Sequence, residues 1–250
     1  MSSFDYRNQF QNNVQQYENI TDTKHINLIY NLERHVLLKM FSRINSKDKA
    51  LMDFACGTGR WTHVLENYFA DSIGVDVSEE MVSVAQKKCK KTKFIITDIT
   101  SVNDEKLDGF QFDIITAFRF FKNAQDQLRQ DVISSIGKYL KKNGYFVFDL
   151  HLNSYSFMGI LANVISFLEL NKRLGISKLA TKTISIRQVR KLFKDSDFEI
   201  VDYYGMGLLP GRSNFTILPN KVLSKVETFF TEKKILRNYS YNILVVAKKK

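Results

Sequence analysis

Cysteine, proline and histidine are scarce in this 250-residue chain, with 2 Cys, 2 Pro and 4 His. The two thiols, Cys56 and Cys89, cannot build a disulfide framework or a four-cysteine zinc site, and they suit a reducing compartment. No metal site is expected, since His, Cys and carboxylates do not cluster at ligand spacing. With 2 Pro and 11 Gly, collagen-like, linker-rich and many-turn all-β architectures are excluded. A bilayer-crossing run of ~20 apolar residues is also missing. The longest apolar stretch, Phe157 to Leu170, is broken by Asn163, Ser166 and Glu169. Met1 to Gln16 is polar, without the apolar centre of a signal peptide, so a cytoplasmic location is expected.

What is present is material for a large core: 44% hydrophobic and 13% aromatic content rules out global disorder. Lys and Arg number 37 against 26 Asp and Glu, a net charge of +11. That excess invites an acidic partner, nucleic acid or anionic lipid, but it bears on solubility and encounter rather than on fold.

From Ala50 onward, short apolar runs alternate with stretches of helical period, the pattern of strand-helix repeats and a largely parallel sheet. Ala50 to Phe54, Ser72 to Val77, Lys93 to Thr97, Phe112 to Phe118 and Tyr145 to Leu150 read as buried strands, followed near the end by Phe198 to Tyr204 and Tyr239 to Ala247. Arg60 to Phe69, Ser78 to Lys91, Gln125 to Lys141 and Ser185 to Asp195 read as helices, and Val14 to Ile44 as a helical prefix. Lys141-Lys142-Asn143-Gly144 is a helix stop with a left-handed exit. The expected organisation is one domain over residues 1–250: a helical cap at 1–45, a nucleotide-binding core at 46–152, a helical insertion or lid at 153–184, and C-terminal helices and strands at 185–250.

The most informative segment is Asp53-Phe54-Ala55-Cys56-Gly57-Thr58-Gly59. Gly57 and Gly59 allow a sharp turn and close backbone approach to a ligand at the carboxyl edge of the first strand. The third glycine of a dinucleotide fingerprint is replaced by Thr62, and no Walker loop follows. Asp53 would repel a bound pyrophosphate by as much as ~4 kcal/mol at ~4 Å and an effective dielectric of ~20. A ligand carrying ammonium and sulfonium cations reverses that sign. Asp76, ending the second strand, is placed to accept from both ribose hydroxyls. Asp98, ending the third, is placed to accept from an adenine amino group, with Ile99 against the ring.

The run Asp53 to Gly59, with Asp76, Asp98 and Phe112 to Ala117, resembles the class I S-adenosylmethionine-dependent methyltransferases, in particular the type-11-like group acting on small molecules, glycans or lipid intermediates. The resemblance implies an α/β fold, a Rossmann-like methyltransferase sandwich. Its seven-stranded sheet is mostly parallel with an antiparallel last strand, and it carries a helical N-terminal cap and a helical insertion after strand five. It implies S-adenosyl-L-methionine as cofactor and S-adenosylhomocysteine as product. Asp53, Ala55, Gly57 and Gly59 would hold the methionine moiety, Asp76 the ribose and Asp98 the adenine, with Val77, Met81, Ile99 and Ala117 lining the site. Ala55 replaces the pattern's first glycine, at little expected cost. Tyr17 and Arg34 of the prefix would fold over the cofactor, Arg34 pairing with its carboxylate or else standing in solvent.

Methyl transfer is an in-line displacement, so positioning can supply most of the catalysis. The acceptor-side candidates are Arg119, Phe120, Asn123, His151 and Tyr155. His151 reads either as a general base for a hydroxyl or as a structural hydrogen-bonding residue. Arg119 reads either as an anchor for an acidic substrate or as the partner of a nearby carboxylate. The apolar helix Tyr155 to Leu170 is a buried lid, a receptor for an apolar substrate, or, with Lys172, Arg173 and Lys178, a peripheral membrane contact over 155–178. O-methylation of a small-molecule, glycan or lipid-linked acceptor is the expected activity. Nucleic acid is disfavoured as partner: an Asn/Asp-Pro-Pro-aromatic motif is missing after strand four, which reads Ala117-Phe118-Arg119-Phe120. A nicotinamide oxidoreductase conflicts with Asp53 and Thr62, while a non-catalytic cofactor-binding protein of the same fold stays open.

Overall fold

The apolar runs become strands because their β-branched and aromatic residues bury both faces of a central sheet. The computed structural model describes residues 14, 23–101, 106–170, 175, 182–212, 215–216 and 218–250. In chain order, helix α1 (Lys24–Arg43) precedes β1 (Ala50–Phe54), α2 (Thr62–Leu65), β2 (Asp71–Asp76), α3 (Glu79–Lys88), β3 (Lys93–Ile96) and β4 (Phe112–Ala117). Then come α4 (Asp126–Tyr139), β5 (Leu140–His151), α5 (Phe157–Phe167), α6 (Ile186–Leu192) and β6 (Phe198–Met206). A small hairpin of β7 (Gly211–Arg212) and β8 (Phe215–Thr216), α7 (Asn220–Lys233) and β9 (Asn242–Lys249) complete it.

Seven strands form one sheet in the order β3-β2-β1-β4-β5-β9-β6, with β9 antiparallel to both β5 and β6 and the other pairings parallel. The strand order reverses between β1 and β4, and at such a switch point the two carboxyl ends open a crevice. This is the expected methyltransferase-type sandwich.

Successive residues of a strand face opposite layers. Leu51, Ile114, Val147 and Leu244 meet Ile29, Leu32, Val36, Leu37 and Phe41 of α1 on one face. Met52, Ile115, Phe146, Phe148 and Val245 meet α4 and α6 on the other, through Leu128, Val132, Ile136 and Val189. At ~1.5–3 kcal/mol per buried large side chain, the face of α1 outweighs its intrinsic helix propensity, so packing holds it in place. Among the described residues no helix is long and apolar enough to cross a membrane.

Several boundaries differ from the sequence reading. Helix α2 is one turn rather than a helix to Phe69, closed where Glu66 turns its carboxylate to the amides of Lys90, Lys91 and Thr92 at 2.9–3.2 Å. Helix α4 ends at Tyr139, so Lys141 and Lys142 lie in β5 rather than in the helix; Lys249 of β9 reaches the carbonyls of Gly137 and Leu140 at its end. Asn143 does take the left-handed conformation, φ 64°, inside β5. Helix α7 is not among the helix ranges expected from the sequence. Its Glu227 accepts the amides of Gly207, Leu208 and Leu209 at 2.7–3.1 Å and fixes the loop leaving β6.

Candidate functional site

Parallel pairing of Asp53 with Gly74 and of Asp76 with Ile96 brings the carboxyl ends of β1, β2 and β3 into one row. The turn after β1 is left-handed three times in five residues: Ala55 at φ 53°, Gly57 at 55° and Gly59 at 73°. A Cβ on Gly59 would stand 2.9 Å from Ala85 Cβ and 3.2 Å from Cys89 Sγ, so only glycine lets the turn touch α3. Ala55 is the correction here. An L-residue at positive φ gives up ~1–2 kcal/mol, so the replacement of the pattern's first glycine does carry a cost. Ala55→Gly is expected to stabilise the fold by about 0.5–1 kcal/mol after the greater freedom of unfolded glycine is subtracted, read as a higher denaturant midpoint at constant m. An unchanged midpoint would count against strain in this turn.

The three acids are held differently. Asp76 is half-buried; its Oδ2 accepts from the Gly57 amide at 2.8 Å and its Oδ1 from the Ser78 amide at 3.0 Å, so it shapes the turn it faces. Burial raises its pKa. Asp98 accepts from the Thr100 amide at 2.9 Å and the Thr100 hydroxyl at 2.6 Å, which sets the turn after β3. Asp53 is only 2% exposed and takes the hydroxyls of Thr62 at 2.5 Å and Thr116 at 2.7 Å. Burial outweighs those donors and pushes its carboxyl up to about 6. Asp53 forms the floor of a narrow cleft also lined by Tyr30, Ala55, Arg60, Trp61 and Arg119.

On the β4 side of the crevice, Arg119 takes φ 61° and centres a buried polar network. Its amide donates to Asp149 Oδ1 at 2.5 Å, and its guanidinium grips Asp149 Oδ2 and reaches Glu33 Oε2 at 3.3 Å. The same group reaches Asn242 Oδ1 at 3.4 Å, and Asn242 in turn donates to Glu33. Burial pushes Glu33 up to about 7, against the pull of Arg119. The pairing alternative for Arg119 is thus the one the geometry displays. His151 completes the network. A guanidinium only donates, so Nδ1, 3.1 Å from Arg119, must accept, and Nε2 then donates to the Tyr241 hydroxyl at 3.2 Å. Burial, then Arg119, Lys122 and His25, hold its pKa well below 6.5. Lys122 beside it is pushed down to about 8, chiefly by burial and then by Arg119.

The remaining candidates divide. Met81, Ile99 and Ala117 are buried at 4%, 4% and 0% exposure, and Val77 is half-buried. Phe120 belongs to the core, ring to ring with Phe54 at 5.1 Å and Phe121 at 5.6 Å. Asn123 donates to the Arg119 carbonyl at 2.7 Å, closing that turn. Tyr155 lines a different groove, with Arg187 and Arg190. Arg34 is exposed, whereas Arg60 lines the cleft, stacks 4.4 Å over the Tyr30 ring and bonds Asn27 at 3.0 Å. Tyr17 lies outside the described residues. His63, Glu66 and Cys89 bring three ligand-type atoms within 4.8 Å of one another. Glu66 is already committed to three amides and burial pushes the Cys89 thiol up to about 12, so the cluster serves as a turn anchor.

Sequence reasoning passed over Glu33, Asp149, Arg60, Tyr241 and Asn242. Glu33 carried a signal: it lies four residues from both Ile29 and Leu37, on the buried stripe of α1. Asp149 carried another, as a carboxylate inside the apolar run of β5.

A probable S-adenosylmethionine-dependent methyltransferase of Saccharomyces cerevisiae is 37% identical over 109 residues, 40% of this chain and 35% of that protein, so the match spans about a third of the yeast relative. A demethylmenaquinone methyltransferase of Lactococcus lactis is 25% identical over 229 residues, 82% of this chain and 89% of that one. The crystal structure of magnesium protoporphyrin IX methyltransferase from Synechocystis PCC 6803 with bound SAH superposes at a TM-score of 0.62, covering 98% of this chain and 97% of that one at 14% identity, a likeness of fold. A family model described as a methyltransferase domain matches residues 27–203, a stretch that holds the three strand-end acids, the left-handed turn, and Glu33, Arg119, Asp149 and His151 of the polar network. The chain belongs to that family, within the class I S-adenosylmethionine-dependent methyltransferases.

Proposed function

We propose that the protein moves a methyl group from S-adenosylmethionine to an oxygen of a small-molecule, glycan or lipid-linked acceptor. The observation that carries the cofactor half is the Asp76 carboxylate, fixed by the Gly57 and Ser78 amides at the end of β2 with lone pairs left over for ribose hydroxyls. The bound cofactor supplies a sulfonium-activated methyl group. Asp53 gives the cleft a negative floor for that cation, and the cation in return favours its ionised form. Arg60, rather than Arg34, holds the cofactor carboxylate, since its guanidinium lines the cleft and is braced by Tyr30 and Asn27.

On the acceptor side, the chain's contribution is alignment. A C–S bond breaks as a C–O bond forms, sulfur leaves as a neutral thioether, and the acceptor proton passes to a base or to water. His151 is the base first suggested by sequence; held neutral but with Nδ1 engaged by Arg119, it acts only if that hydrogen bond opens. Full turnover by His151→Ala across the pH range removes it from the chemistry and leaves it a positioning role. The acceptor class is tested with labelled methyl donor and fractionated cell extract. Label is expected in the small-molecule, glycan or lipid fractions; label in nucleic acid, or none in any fraction, overturns the reading.

A further inference from the structure

Helix α5 presents most of its large side chains to solvent, holds Met158 and Ile165 half-buried, and fully buries only small residues. Phe157, Ile160, Leu161, Val164, Phe167 and Leu168 recur at helical spacing as one stripe, each 43–84% exposed, whereas its buried residues are Gly159 and Ala162. This orientation is built in. A Cβ on Gly159 would lie 1.9 Å from the Asn153 carbonyl oxygen, so the docked face admits only glycine there. Ser156 caps the helix by accepting from the Gly159 amide at 3.0 Å. Asn163 donates to the Ser154 carbonyl at 3.4 Å and accepts from the Thr183 hydroxyl at 2.8 Å, which pins the helix beside the start of α6. A lid that closed over a core would show the reverse arrangement, so the buried-lid expectation does not describe this helix.

The charge beside the stripe is predominantly positive. Arg187 in the first turn of α6 and Arg190 one turn on share a groove of about 320 Å³ with Tyr155 and Tyr239. Neither guanidinium has a carboxylate partner among the described residues; Arg190 lies 5.7 Å from the Tyr203 ring centroid. Glu169 directly follows the stripe, and Lys172, Arg173 and Lys178 of the expected 155–178 contact lie outside the described residues. A second copy of the chain is a poor occupant, since each copy carries +11 and would bring its own cations to the contact.

We propose that α5 binds an anionic lipid surface: the stripe enters the headgroup–acyl boundary in the plane of the interface, and Arg187 and Arg190 meet lipid phosphates. The proposal is independent of which acceptor is methylated. It is tested by co-sedimentation of the full chain with vesicles of phosphatidylcholine, with and without phosphatidylglycerol. Binding is expected only with phosphatidylglycerol and is expected to weaken as salt rises. Arg187→Ala with Arg190→Ala should lower partitioning about 25-fold, at ~5-fold per cation. Phe157→Ser with Phe167→Ser, both at exposed positions, should lower it at least ~10-fold while S-adenosylhomocysteine affinity and circular dichroism stay unchanged. The proposal is overturned if wild type stays in solution with both vesicle types, or if both variants bind as well as wild type. It is equally overturned if the stripe instead mediates a dimer that Phe157→Ser with Phe167→Ser dissolves.

Discussion

Asp76→Ala is expected to lower the affinity for S-adenosylhomocysteine by at least about 100-fold, because two losses add. A carboxylate accepting from two ribose hydroxyls contributes ~1.5–3 kcal/mol per charge-assisted bond. The same carboxylate holds the Gly57 and Ser78 amides at 2.8 and 3.0 Å, so its removal also frees the left-handed turn that approaches the ligand. Asp76→Asn keeps one acceptor oxygen and the shape, and an intermediate loss of about 10-fold is expected. Asp53→Ala tests a different dependence. Its oxygens already hold Thr62 and Thr116, so the variant strands two buried hydroxyls and should lower stability together with affinity. Calorimetric titration at matched folded fraction, checked by circular dichroism, separates these effects. Unchanged affinity in both alanine variants would falsify the cofactor assignment.

The part of this site legible in the sequence is the part built locally. Strand ends, the Gly57–Gly59 turn and the acids at Asp76 and Asp98 follow from an apolar run stopping at a polar residue, a signal within a few residues of each position. The register of parallel neighbours then aligns them without further instruction. The Arg119 network is of another kind. Its partners Glu33 and Asn242 are 86 and 123 residues away along the chain, so no window of periodicity joins them. The sequence carries a pair of anomalies, a carboxylate on the buried stripe of α1 and another inside β5, each of which requires a cation or hydrogen-bond donors nearby. Which arginine lines the cleft, Arg34 or Arg60, depends on the helix rotation. Both are arginines near the turn, but the phase of α1 that buries Leu32 and Glu33 leaves Arg34 on the solvent side. The apolar segment reads as a helix from Tyr155 to Leu170 and is one over Phe157–Phe167, while its docking through Gly159 depends on the Asn153 carbonyl and leaves no mark in hydropathy.

Arg119→Ala is expected to cost about 3–5 kcal/mol of stability, the typical consequence of leaving buried carboxylates without their cation. Asp149, with 1% exposure, and Glu33, with none, would then face one another across the space the guanidinium filled. The cost should depend on pH, and the direction follows from Glu33. Its folded pKa is raised from 4.5 to about 7, so between those values the folded chain keeps a proton that the unfolded chain has released. The Glu33 contribution therefore falls as pH rises through that window and is flat above it; the buried His151 and His25, with pKa values lowered by burial, contribute in the opposite sense as pH rises towards 6.5, so the Glu33 part is read from the difference between wild type and Glu33→Gln. Asp53, raised from 3.8 to about 6, adds a fall of the same sign at the acid end. Removing Arg119 takes away the charge that lowers the Glu33 pKa, so in Arg119→Ala the decline should extend above pH 7, and the variant should be least impaired in acid. Glu33→Gln should remove the upper part of the wild-type slope and leave the Asp53 part. Thermal unfolding followed from pH 4.5 to 8.5 in wild type and the two variants reads all three profiles. A wild-type slope that survives Glu33→Gln intact, or an Arg119→Ala cost that grows towards acid pH, would show that Glu33 is not the carboxylate this network holds near neutrality.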